Sequence, residues 1–250
     1  FGSSCSLGSA QRRLPRTATC AMMRPSVAAM LVAALTLAQA RSVHVTSGAA
    51  PKAGNSKVLV EIFVMSKCPD AGACEQVFGP VLRELGSAVE VSLGMIADEG
   101  GTKCMHGPAE CEGDRQQLCA QQAAAGNVTK LMDFLLCQDE QQASIPSNGE
   151  ACATRAGLDA KHLAACAASD EGRSLLNTSS TSAARRNIGI SCTVRVGGSD
   201  FCIHNGEWQD CDTCGEDKAA CLRDRICKLA PSVPECQKVK ANVQQLTEEI

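Results

Sequence analysis

Val58-Leu59-Val60-Glu61-Ile62-Phe63-Val64-Met65-Ser66-Lys67-Cys68-Pro69-Asp70 is the stretch on which the fold turns. Its first eight residues are nearly continuously apolar and β-branched, which suits a strand buried on both faces of a sheet. Downstream, residues 75–85 set Val77, Phe78, Val81, Leu82 and Leu85 along one helical face, with Gly86 as a stop and Pro80 as an interruption. Residues 89–96 read as a second strand. Strand, helix and strand make a βαβ unit, whose right-handed crossover puts Cys68 at the carboxyl end of the first strand.

Working outward, residues 98–187 offer no strand. Ala/Leu/Gln-rich stretches at 112–125, 128–138, 150–156 and 159–168 read as helices, broken at Gly126, Pro146 and Gly157. They carry Cys104, Cys111, Cys119, Cys137, Cys152 and Cys166, so disulfides staple this insertion internally or to its neighbours. Sheet signals resume at 188–196, turn at Gly197-Gly198 and return at 201–204, a hairpin; a last helix spans 216–229. The expected fold class is α/β. A thioredoxin-like domain over 57–236 takes a large disulfide-stapled helical insertion, 98–187, between its βαβ unit and its C-terminal ββα unit.

The compartment follows from cysteine usage. Seventeen cysteines in 250 residues is a density that a reducing cytosol rarely carries. Met22, Met23 and Arg24 form a short basic start, residues 27–37 an apolar run too short to span a bilayer, and Ala38-Gln39-Ala40 a small-x-small cleavage pattern. We therefore expect a signal peptide at 22–40, a flexible linker at 41–56, a polar tail at 237–250 and no membrane span in the mature chain. Residues 1–21 are candidate upstream translated sequence. The mature chain loses Cys5 and Cys20 and keeps fifteen cysteines, an odd number, so at least one is free or paired outside it. Asn127 and Asn177 head glycosylation sequons, which count only in the secretory pathway. A net charge of −3, 2% aromatic residues and no basic stripe argue against a nucleic-acid partner.

Cys68 has the strongest case for chemistry. A cysteine between a buried strand and a helix N-terminus meets unpaired N–H groups and the positive end of the helix dipole, which favour the attacking thiolate. Lys67 acts in the same direction. The resolving thiol is less obvious, because Cys-x-x-Cys would place it at 71, which is Ala71. The next is Cys74. A helix beginning at Pro69 would separate the two by about 9 Å of rise, beyond the roughly 7 Å limit for a disulfide. They pair only if 69–72 is a loop, which Gly72 allows, and the helix starts near Ala73. The one literal Cys-x-x-Cys, Cys211 to Cys214, competes for the redox role, and with Cys202 and His204 it can be drawn as a zinc site. An oxidising compartment favours structural pairing there. We expect no metal and no bound cofactor. His106, beside Gly107-Pro108, suits proton transfer, metal binding or a local hydrogen bond.

The segment Cys104-Met105-His106-Gly107-Pro108-Ala109-Glu110-Cys111, closed by Cys119, resembles the signature of the gamma-interferon-inducible lysosomal thiol reductase family. That signature reads Cys-Gln-His-Gly-x-x-Glu-Cys-x-x-Asn with a further cysteine. Met105 stands for its glutamine and Asp114 for its asparagine. The likeness runs from Val58 to about Cys236. It implies a secreted or lysosomal (vacuolar), glycosylated protein that reduces disulfides of protein substrates with an external thiol reductant and no cofactor. In this chain the family's Cys-x-x-Cys becomes Cys68-x5-Cys74. The proline expected beside the site is missing from Ser191-Cys192-Thr193-Val194, so we expect a trans peptide there and altered substrate docking around Cys192 and Thr193. Cys192 would lie beside Cys68. The expected function is a thiol-disulfide oxidoreductase acting through the Cys68 thiolate, resolved by Cys74 or by Cys192. A redox-inactive disulfide-rich binding glycoprotein on the same fold is the alternative.

Overall fold

The computed structural model describes residues 57–211 and 214–238 together with the backbone of Cys5–Ser6. The expected signal peptide, the expected linker and most of the expected polar tail lie outside the described residues, as does the expected upstream segment apart from that short strand. A five-stranded sheet has the order β3-β2-β5-β6-β7, formed by Val58–Val64 (β2), Val89–Met95 (β3), Thr193–Val196 (β5), Ser199–His204 (β6) and Trp208–Gln209 (β7). Strand β2 runs parallel to β3 and antiparallel to β5, with Phe63 opposite Thr193. Cys5–Ser6 (β1) pairs antiparallel with Ile190–Ser191 (β4), Cys5 opposite Ser191. The fold is thioredoxin-like.

The strand β2 is less uniformly buried than its composition suggests. Val60, Ile62 and Val64 are buried, whereas Leu59 and Glu61 are half-buried. Glu61 sits there because Arg186 holds it in a two-pronged ion pair at 2.6 and 3.0 Å, with Arg195 at 3.3 Å. The Arg186 hydrogen bonds hold its carboxyl below the usual range.

Helix α1 spans Pro69–Glu84, so the loop at 69–72 is replaced by helix. Proline is well suited to the first helical position because its missing N–H has no partner there in any helix. The amides of Ala71 and Gly72 already donate to Cys68 O, at 3.0 and 3.4 Å. Pro80 is accommodated inside the helix on its solvent side while Phe78, Val81 and Leu82 are buried. Phe78 packs against Phe201 and Trp208, ring centroids 5.9 and 5.2 Å away, tying α1 to the C-terminal strands.

Between β3 and β4 the described chain is helical: Pro108–Ala124 (α2), Val128–Asp139 (α3), a 3-10 turn at Gln142–Ser144, Gly149–Arg155 (α4), Ala160–Ala168 (α5) and Asp170–Arg185 (α6). Sequence periodicity misses α6. Its Ser/Thr-rich run offers few apolar positions, and Ser169 caps it through a hydrogen bond to the Glu171 amide at 3.2 Å. Buried amides knit the insertion: Gln117 Nε2 donates to Gln138 Oε1 (3.2 Å), and Gln138 Nε2 to Gln116 Oε1 (3.0 Å). Bridges Cys119–Cys166 and Cys137–Cys152 join α2 to α5 and α3 to α4. Lys218–Leu229 (α7) packs against α1 and is closed by Cys227–Cys236.

Phe78 is 1% exposed, so Phe78→Ala should cost about 3–5 kcal/mol. Urea unfolding measures this. A loss below about 1 kcal/mol would remove the α1–sheet aromatic cluster from the core of the fold.

Candidate active site

Cys68 caps α1 in an extended conformation and is wholly buried. Gln142 Nε2 donates to Cys68 O at 2.8 Å, and the Lys67 ammonium donates to the carbonyls of Ile145, Ala143 and Gln142 at 2.8, 3.1 and 3.3 Å. Lys67 thus fastens the insertion to the start of α1 instead of facing the sulfur. Two oxygens approach Cys68 Sγ, Asp70 Oδ2 and Ser191 O, each at 3.9 Å.

The sulfur pairing departs from expectation. Cys74 bridges Cys192, with Cα atoms 6.3 Å apart, and not Cys68. Because α1 begins at Pro69, the rise between Cys68 and Cys74 rules out their direct pairing by the geometry set out above. Cys68 is itself disulfide-bonded, and the other fourteen described cysteines pair among themselves. Ser191-Cys192 is a cis peptide, contrary to the trans form expected without proline. Cys192 and His204 exchange both backbone hydrogen bonds, at 3.0 and 2.9 Å. Thr193 is a strand residue whose hydroxyl donates to Ile190 O at 2.7 Å.

The Cys211/Cys214 motif is not a redox pair here. Cys211 bridges Cys202, and Cys214 bridges Cys221, so none of the thiols drawn into a zinc site is available. His204, the remaining group of that drawing, turns its Nδ1 to Asp70 Oδ1 at 2.8 Å, where the Gly206 amide also donates at 2.7 Å.

The signature segment reaches the site by packing. Gly107 has a φ of +86°, a conformation that side chains rarely adopt, and so starts α2 at Pro108. His106 pairs through Nδ1 with the buried Glu110 and donates its amide to the same carboxylate at 3.0 Å. Cys104 bridges Cys111 across that turn. One turn on, Asp114 Oδ1 accepts the Ser66 amide at 2.8 Å, and the Ser66 hydroxyl donates to Glu110 O at 3.1 Å. Gly113 allows this approach: a Cβ there would meet Ser66 Oγ at 2.6 Å and Ile145 at 2.4 Å. Burial, reinforced by the Glu110 charge, raises the Asp114 pKa to about 8.

A second acidic pair lies behind Cys74. Glu75 on α1 and Asp139 on α3 are buried against one another, and Glu75 Oε1 and Asp139 Oδ2 have no hydrogen-bond partner. Burial first, then the Asp139 charge, pushes the Glu75 carboxyl well above its ordinary range. Sequence inspection gave no signal for this pair, or for Asp70 with His204, because both unite residues far apart in the chain.

The sequon residues Asn127 and Asn177 are exposed, the first capping α3 and the second inside α6. Among the described residues no group of His, Cys, Asp and Glu could hold a metal ion, and no helix is long and apolar enough to cross a membrane.

Residues 59–156 match the family described as gamma interferon inducible lysosomal thiol reductase. GILT-like protein 1 of Drosophila melanogaster is 29% identical over 152 residues, 52% of this chain and 61% of that protein, so the chain spans less than two thirds of this relative. Reduced DsbA from Mycobacterium tuberculosis superposes with a TM-score of 0.54 at 20% identity, covering 77% of this chain and 92% of its own. Reduced DsbG from the same organism gives 0.52 at 19%, covering 77% and 87%. At these identities the likeness is one of fold.

The raised carboxyls share one sign. A carboxyl whose pKa rises on folding stabilises the fold fully below its unfolded value near about 4, and that contribution is lost as pH climbs through the folded value. For Asp114 the loss runs from about pH 4 up to its folded value of about 8, where it is complete. Thermal midpoints should therefore fall between about pH 5 and pH 8.5, and Glu75→Gln combined with Asp114→Asn should flatten the fall. An unchanged slope in the double variant would clear these carboxyls of responsibility.

Proposed function

We propose that this chain, whose residues 59–156 match the gamma interferon inducible lysosomal thiol reductase family, reduces protein disulfides through Cys68. The observation that carries the reading is the position of that sulfur, at the N-cap of a helix leaving a buried central strand. Backbone N–H groups and the dipole there stabilise thiolate against thiol.

An external thiol first opens the bond that Cys68 makes, releasing the nucleophile. The Cys68 thiolate then attacks one sulfur of a substrate disulfide, forming a mixed disulfide and expelling the other sulfur as thiolate. A second thiol completes the two-electron reduction. Cys192 is the better internal candidate, because Ser191 O, one residue away, is 3.9 Å from Cys68 Sγ. It becomes available once its bridge to Cys74 is reduced, and Cys74 serves as its redox partner in place of direct contact with Cys68. Where neither reaches, external thiol resolves the mixed disulfide.

Substrates are disulfide-bearing proteins presented in extended form near β4. The name of the matched family and the cysteine density support a place in the secretory pathway, lysosomal (vacuolar) or extracellular, with Asn127 and Asn177 as glycan acceptors. Cys68→Ser should abolish insulin-disulfide reduction by the mature protein with excess dithiol, whereas Cys192→Ser should slow it without abolishing it. Full activity in Cys68→Ser would overturn the assignment. Inactivity of the wild-type protein would return the chain to the disulfide-rich binding role.

A further inference from the structure

We propose that Asp70 is the proton-transfer group of this site, held in place by His204. The proposal rests on the reading of Cys68 as nucleophile and adds the group that handles its proton. Asp70 is 5% exposed, and its two oxygens are differently occupied. Oδ1 accepts from both His204 Nδ1 (2.8 Å) and the Gly206 amide (2.7 Å). Oδ2 is left directed at Cys68 Sγ, 3.9 Å away. Two donors on one oxygen fix the plane of the carboxylate and so the aim of the other.

His204 is itself held by the Trp208 ring edge, centroids 4.8 Å apart, and by the double backbone pairing with Cys192. Other nearby charges are engaged elsewhere: Lys67 donates to the carbonyls of residues 142, 143 and 145, and Glu75 faces Asp139 between α1 and α3. Among the described residues, Asp70 is therefore the acid-base group facing the sulfur.

With Cys68 reduced, its thiol donates to Asp70 Oδ2. As Sγ attacks the substrate disulfide, the S–H proton passes to Asp70, the Cys68 Sγ–S bond forms, and the substrate S–S bond breaks with its electron pair on the leaving sulfur. Asp70 returns the proton to that thiolate, which departs as a thiol. Atoms, charge and electrons balance within the step, and Asp70 ends as a carboxylate.

A carboxylate this close also opposes ionisation of Cys68, since like charges disfavour one another. That gives the test two readouts of opposite sign. In Asp70→Asn, iodoacetamide labelling of reduced Cys68 at pH 6, read by peptide mass mapping, should be at least about threefold faster, the effect of half a pKa unit. Insulin-disulfide turnover should at the same time fall at least about tenfold, the low end of proton-transfer contributions. His204→Gln, which keeps a donor for Asp70, should retain more turnover than His204→Ala. Labelling and turnover falling together would show only a damaged site and overturn the proposal, as would two unchanged rates. An inactive wild-type protein would instead sink the oxidoreductase reading, and the transfer step with it.

Discussion

The hydrogen bond from the Ser66 amide to Asp114, 2.8 Å long, joins the sheet to the helical insertion at the point where β2 gives way to Cys68. Together with the Ser66 hydroxyl bond to Glu110 O, it fixes how the end of β2 and the cap of α1 sit against α2. Every feature around it serves the contact. Gly113 removes the side chain that would block it, Glu110 supplies a carbonyl to the Ser66 hydroxyl, and the Cys104–Cys111 bridge constrains the turn leading into α2. The signature segment is therefore a positioning device, reaching the Cys68 sulfur through two residues of backbone. An asparagine at 114 could accept the same bond. The aspartate found here does so as a buried acid whose proton is retained up to about pH 8.

The fold was largely legible because its decisive signals are local. An apolar β-branched run, a helical stripe and a Gly-Gly turn each report their own conformation, and their order is enough to name the thioredoxin arrangement. The signature segment was legible for a similar reason, its residues lying within one turn and one helix. What escaped was non-local or uncharacteristic. Helix α6 has too many hydroxyl residues to show a stripe, and the strand read at 188–196 is broken at Cys192 into β4 and β5. The start of α1 hinged on a choice between loop and helix at 69–72, and Pro69 with Asp70 in the first turn settles it for the helix.

That choice governs the sulfur chemistry. Once α1 begins at Pro69, Cys74 lies more than a turn and a half from the cap and pairs across to the β4–β5 connection at Cys192. The site then has two tiers, the Cys68 sulfur at the helix cap and the buried Cys74–Cys192 disulfide behind it, in place of a dithiol on consecutive helical turns. Spacing along the chain made Cys74 the natural partner of Cys68, and geometry transfers that proximity to Cys192, through Ser191.

Acidic burial places opposing demands on such a site. Glu75 with Asp139 and Asp114 with Glu110 make the folded state prefer protons, so its stability belongs to acidic conditions. Thiolate chemistry belongs to alkaline ones, because the nucleophile is scarce below its pKa. The helix cap relieves part of the conflict by favouring the thiolate locally. Lys67, the obvious second source of positive charge, is committed to three carbonyls of the insertion and gives no such help. In the proposed transfer step, Asp70 carries the proton from attacking to leaving sulfur and so reduces dependence on a standing thiolate population. In a fold stabilised by buried acids, placing one more acid beside the sulfur is consistent with the same acidic setting.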